Sequence, residues 1–240
     1  MNRLFAALLL LTLVFTFSSC GWRNVKGNGN VITSNRNEGR FNGVKTAGSF
    51  DLYVSQGDDY SIRIEAEENL MKYIITEVEN GELKVKVKRG VNLRPRQDMK
   101  VYVTAPLYKE LGIAGSGNII AETNLSSDSP MEFSISGSGD IRVSAVDAPK
   151  ITVRIAGSGN ASLAGNTRDA VYRIAGSGDI KCRELKTENT EVHIAGGGNV
   201  WSFCSQNLDV HIAGSGDVHY AGNPVNVKQK IAGSGNMIKE

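Results

Sequence analysis

The sequence is short of the residues from which most specialised sites are built. Its 240 residues include three cysteines, three histidines and five prolines, and aromatic residues make up 7%. Three cysteines cannot form the dense disulfide framework of a small secreted scaffold. Cys182 and Cys204 do not stand at metal-site spacing from the histidines. An excess of one charge is also missing. The 27 Lys+Arg face 25 Asp+Glu, so no global field draws the chain to nucleic acid. The apolar run from Leu4 to Phe17 covers 14 residues, and a helix needs about 20 to cross a bilayer. No catalytic constellation is visible, because the serines of the Gly-Ser-Gly elements imply no histidine or acid partner. No helix follows those elements as a phosphate loop would require.

What is abundant is glycine, 27 residues of it, and most of it is periodic. Ile-Ala-Gly-Ser-Gly-Asn/Asp recurs seven times with small variations, its glycine pairs opening at Gly115, Gly137, Gly157, Gly176, Gly196, Gly214 and Gly233. The steps between them are 22, 20, 19, 20, 18 and 19 residues. Self-similarity at a fixed period marks a repeat architecture. Before each glycine pair stands an apolar-x-Ile triplet such as Val153-Arg154-Ile155 or Val210-His211-Ile212, and after it a second apolar residue such as Ile141 or Val218. Alternation turns the flanking residues inward and the middle one outward. Glycine permits a sharp bend between the two strands. One repeat is the length of chain that winds once around a parallel β-helix, with rungs stacked at about 4.8 Å.

Stacking would convert sequence positions into columns. The residue after the second glycine runs Asn118, Asp140, Asn160, Asp179, Asn199, Asp217, Asn236 in strict alternation. Alternation separates the carboxylates and is expected to give each Asp an amide donor above and below. The ladder reads as structural; calcium is the other reading, because oxygen ligands in register can bind it. Three residues before the glycines the outward column runs Ser134, Arg154, Arg173, His193, His211, Lys230, a basic stripe that is either a solvated face or a seat for anionic glycans. Two residues after the Asn/Asp comes Ile120, Arg142, Ser162, Lys181, Trp201, His219, where Trp201 is a candidate platform for a sugar ring. Cys182 and Cys204 lie in adjacent rungs but two positions out of register, which leaves a disulfide open. No metal site and no cofactor are expected.

The N-terminal part has a different texture. Met1-Asn2-Arg3 and the apolar run form a secretory signal over residues 1–19. Its end, Phe17-Ser18-Ser19-Cys20-Gly21, resembles a bacterial lipobox, which makes Cys20 the lipidated mature N-terminus. Residues 20–40 read as the lipidated Cys and a polar tether, with Gly27-Asn28-Gly29-Asn30 like an early copy of the repeat and Ala47-Gly48-Ser49-Phe50-Asp51 like a degenerate one. Residues 41–240 form one β domain, divided into a capping part at 41–105 and β-helical repeats at 106–240. In the cap, stretches such as Leu83-Lys84-Val85-Lys86-Val87 alternate like half-buried strands. Asn80-Gly81 signals a hairpin, and Glu67 to Tyr73 suits one short helix. The Lys/Arg cluster around Lys84, Lys86 and Lys88 is expected to guard a sheet edge.

The repeated motif, from Gly115-Ser116-Gly117-Asn118 onward, together with the strand-rich half before it, resembles the putative auto-transporter adhesin family with the head GIN domain, over roughly residues 40–236. The resemblance implies an extracytoplasmic β-helical domain, its right hand, and an adhesive role; it carries no residue assignments. The expected fold is therefore all-β, a right-handed parallel β-helix with an antiparallel N-terminal cap. The expected function is a non-catalytic lipoprotein on the bacterial outer membrane. It would bind glycans or other envelope or host-surface molecules and no nucleic acid. Two alternatives stand beside it: a structural envelope protein that forms homo-oligomers through the solenoid ends, and a polysaccharide-degrading enzyme.

Overall fold

The computed structural model describes residues 23–240, so the signal segment and Cys20 lie outside the described residues. The chain is almost entirely β, a solenoid of about six turns with antiparallel strands in its N-terminal part. Ten elements precede the regular repeats: β1 (Arg23–Lys26), β2 (Val31–Arg36), β3 (Gly43–Gly48), β4 (Phe50–Gln56), β5 (Ser61–Glu67), α1 (Glu68–Met71), β6 (Ile74–Glu79), β7 (Glu82–Val87), β8 (Val91–Arg94) and β9 (Met99–Ala105). The first repeat then contributes β10 (Glu110–Gly115) and β11 (Ile119–Ala121).

The repeats stack in parallel and in register, glycine on glycine. Gly115 pairs with Gly137, Gly137 with Gly157, and the series continues through Gly176, Gly196 and Gly214 to Gly233. The corner explains why both glycines of each pair are required. The first has φ near +135° to +145° in these repeats, a region that L side chains avoid. The second has no room: a Cβ on Gly159 would lie 2.0 Å from the carbonyl oxygen of Gly139, one rung below. A second bend occurs on the far side of some rungs, where Gly165 has φ +129° and sits against Val146.

The inward columns are apolar and tightly filled. Ile135, Ile155, Ile174, Ile194 and Ile212 stack on one side of the corner, and Ile119, Ile141, Ala161, Ile180, Val200 and Val218 on the other; all are buried. Volume is balanced within a rung. The one that carries the buried Tyr172 carries only Ala161 and Ala170 at two other inward positions, where its neighbours place isoleucine or threonine.

The degenerate copy at residues 47–52 is a full member of the solenoid. β3 and β4 pair in parallel with β10 and β11, placing Gly48 beneath Gly115 and Asp51 beneath Asn118. One more layer lies below, because β7 pairs with β3 and β9 with β4, again in parallel. Antiparallel pairing then ends the stack: β6 on β7, and β5 then β2 on β9. Asn80 and Gly81 make the β6–β7 turn with φ +53° and +78°, as a two-residue hairpin of that type requires. Over the end of the core lies α1, with Leu70 and Met71 buried.

Two expectations about this region change. The segment expected as a tether folds instead, β1 pairing with β8 and β2 with β5. Gly27 to Asn30 is then not a rung but a loop around the buried Glu67, whose carboxylate accepts the backbone N–H of Gly29 and of Arg96. The lysines of β7 guard no edge, because β7 lies between β3 and β6; Lys84 and Lys86 instead pair with Glu79 and Glu77.

Candidate functional site

Each outward column follows from strand alternation plus exact stacking of the corners, so one substitution pattern per rung becomes a line of side chains along the solenoid. Four such lines carry the polar chemistry: one at the corner, one on each face beside it, and one seven residues before the glycine pairs.

The corner ladder is directional. Asn160 donates both its backbone N–H (3.1 Å) and Nδ2 (3.0 Å) to Oδ1 of Asp140, and Asp179 donates its backbone N–H to Oδ1 of Asn160 at 3.2 Å. The same pattern joins Asn118 to Asp51, Asn199 to Asp179 and Asn236 to Asp217. Each Asp therefore receives its side-chain amide donor from one neighbour only, not from above and below, because each Asn amide turns its NH2 to the preceding Asp and its oxygen to the backbone N–H of the following one. Asp51 extends the alternation by one place. The ladder spends one carboxylate oxygen of each such Asp on two N–H donors, which is the work of a structural clamp. Among the described residues no group of three or more His, Cys, Asp or Glu side chains converges in the manner of a metal site.

A second ladder stands in a column not singled out from the sequence. Asn189 donates to Asp169, Asn207 to Asn189 and Asn226 to Asn207, at 2.6 to 2.8 Å. The Asn189 amide, with Arg168 beside it, holds the Asp169 carboxyl below its ordinary range against the opposing effect of burial. Each of the four stands seven residues before its glycine pair, in unbroken register with the corners, so the same Gly-Ser-Gly alignment brings them into one column.

The basic stripe exists as a line but is largely neutralised. Arg154 pairs with Glu132 at 2.8 Å, Arg173 with Glu191 at 3.2 Å, and His211 with Asp209 at 3.0 Å. His193 also contacts Glu191, whose carboxyl is held low chiefly by that histidine. The two imidazoles stack with centroids 5.1 Å apart. Lys230 has no carboxylate partner among the described residues. The acids come from the column two residues earlier, whose significance the glycine alignment did not suggest. On the other side of the cations runs a strip of exposed small residues, Ser136, Ala156, Ala175, Ala195, Ala213 and Ala232. Together they make an open trough of about 620 Å³ along the axis, spanning the rungs from Ser134 to Lys230.

On the opposite side of the corner, Trp201 occupies the expected column but cannot serve as a platform. Register stacking places its ring between neighbours: His219 stacks on it at 5.2 Å and 11°, and Lys181 lies over it at 5.8 Å. Both are rung neighbours in the ladder, so the exposed part of the indole is an edge, not a face.

Inside the solenoid, Cys182 and Cys204 are free thiols, fully buried and unbonded to each other. Cys182 pairs in register with Ser202 and not with Cys204. Burial pushes its thiol up to about 12.

No helix among the described residues is long and apolar enough to cross a membrane. Similarity to solved structures agrees with this architecture. A putative adhesin from Bacteroides fragilis superposes with a TM-score of 0.84 at 20% identity, over 90% of this chain and 100% of that one. A putative lipid binding protein from Parabacteroides distasonis gives 0.77 at 30% identity, over 91% and 100%. A putative adhesin from Parabacteroides merdae gives 0.71 at 25% identity, over 91% and 99%. No curated protein matches the sequence significantly. Residues 40–224, which include the cap and nearly all of the glycine corners, match the family described as putative auto-transporter adhesin, head GIN domain, and the chain belongs to that family.

Proposed function

We propose that this chain is a non-catalytic adhesive module of the bacterial envelope, anchored by a lipid on Cys20 to the outer membrane, that holds an extended polymer along the trough of its first face. The observation that carries this reading is the trough itself. Its chemistry repeats from rung to rung instead of converging on one point, which suits a ligand that is itself a repeating chain. Its floor is a line of alanines and its wall a line of Arg154, Arg173, His193, His211 and Lys230, whose charge Glu132, Glu191 and Asp209 largely offset except at Lys230. An anionic glycan has the matching form: an apolar sugar surface for the floor and acidic groups for the wall. Catalysis is disfavoured by the same regularity, because an enzyme needs unlike groups brought to one place.

The test is retention on an immobilised polyuronate. The protein should be held at low salt and released as ionic strength rises. The triple replacement Arg154→Ala, Arg173→Ala, Lys230→Ala should abolish retention without moving the melting temperature by more than a few degrees, since these are surface positions. Retention that ignores salt, or survives the triple replacement, would overturn the reading.

A further inference from the structure

The face on the other side of the corner carries a continuous outward column, and the column has a hole in it. Below the hole, Arg63 covers the Tyr102 ring at 3.8 Å and Tyr102 stacks on Tyr53 at 4.8 Å. Above it, Lys181, Trp201 and His219 form the second stack. Between them the ladder runs through Ile120 and Arg142 to Ser162 and then Lys181. At Ser162 a long side chain is replaced by a hydroxymethyl group. The neighbouring outward positions, Ser144 and Ala164, are small as well. The result is a depression of about 510 Å³, roofed and floored by cations two rungs apart, or about 9.6 Å along the axis.

We propose that this slot binds a single carboxylate-bearing sugar residue. A group at the level of Ser162 lies one rung from Arg142 and one rung from Lys181. Lys181 has no carboxylate partner among the described residues. Arg142 gives one nitrogen to Asp140 at 2.8 Å and keeps further donors. Arg183 at the rim is held by Glu240 at 2.5 Å, and Glu184 at the rim lies 3.9 Å from Lys186. The exposed hydroxyls of Ser144 and Ser162 are available to sugar hydroxyls. The slot is the height of one missing side-chain layer and larger than a simple inorganic anion needs, and Ala164 and the edge of Trp201 supply apolar walls.

The slot and the trough lie on different faces, so their tests are independent. Glucuronate, glucose and inorganic phosphate are titrated into the full chain, and the backbone amide signals of Ser162 and Lys181 are followed by NMR. Glucuronate should shift them saturably and glucose should not. Lys181→Ala should weaken the response about tenfold, the loss of one charged hydrogen bond. Ser162→Ile should abolish it by filling the hole without adding a cation; the fold should hold, because Ile120 already occupies that column position two rungs away. Arg154→Ala, in the trough, should leave it unchanged. Equal responses to glucose, equal or stronger responses to phosphate, or a response that survives both slot variants would each overturn the proposal.

Discussion

At the scale of single residues, the corner is governed by two contacts that allow no compromise. The second glycine of each motif faces the carbonyl of the rung below, whereas the serine between the glycines is exposed. Gly159→Ala should therefore cost about 3 kcal/mol or more, since a Cβ at 2.0 Å from an oxygen forces the rungs apart. Ser158→Ala, one residue away, should change stability by less than about 0.5 kcal/mol; denaturant midpoints of the two variants decide the matter. The ladder makes a second prediction. Asn160→Asp places a carboxylate between Asp140 and Asp179 and removes the Nδ2 donor to Asp140. The variant should be less stable than the parent by about 1–2 kcal/mol at pH 7. Repulsion raises the pKa of the new group in the folded state, so the repulsive part of the deficit should shrink as pH falls through that pKa. A deficit independent of pH would remove the electrostatic account.

At the scale of elements, the cap depends on Glu67, at the end of β5, where β2, α1 and the β8–β9 connection meet. Burial opposes its charge, but the N–H groups of Arg96, Gly29 and Gln97 and the Arg96 charge outweigh it and hold the carboxyl below its usual range. A depressed folded pKa contributes stability that is present above the unfolded value, about 4.3, and is lost as pH falls through the folded one. Glu67→Gln keeps the shape but loses an acceptor, so it should lower the melting temperature at pH 7 and narrow its gap to the parent below about pH 4. Thermal melts at both pH values check this. The site matters for the local sequence too: a Cβ on Gly27 would collide with the Glu67 carboxylate at 1.9 Å, so that glycine answers to Glu67 and not to the repeat.

At the scale of the whole molecule, the two ends differ from a stacking template in separate ways. The N-terminal end closes in antiparallel strands and α1. At the C-terminal end, the column that holds Phe133, Val153, Tyr172, Val192 and Val210 finishes in Gln229, flanked by the exposed Lys228 and Lys230. Gln229 and the two lysines oppose pairing at this edge, whereas Val227, Ile231 and Ile238 of the same last rung are exposed apolar residues that favour it. The polar and charged groups should prevail and keep the chain a monomer as concentration rises; light scattering that grows with concentration would restore assembly through the ends.

The sequence by itself determined the period, the parallel stacking, the corner and the alternating ladder, because each depends on a residue type recurring at a fixed interval. It also marked the Asn80-Gly81 hairpin and the short helix, which are local signals. What only the tertiary structure decided are the relations that cross the period. The Ala47–Asp51 copy joins the stack although the excursion from β5 to β9 separates it from the next repeat. Residues 23–36 fold because β5 and β8 offer them edges that no local pattern announces. Glu132 and Glu191 reach Arg154 and Arg173 on adjacent rungs, and Trp201 loses both ring faces to residues one rung away. The physical reason is common to all four: a solenoid writes its interior along the chain, but sets its surface chemistry between turns.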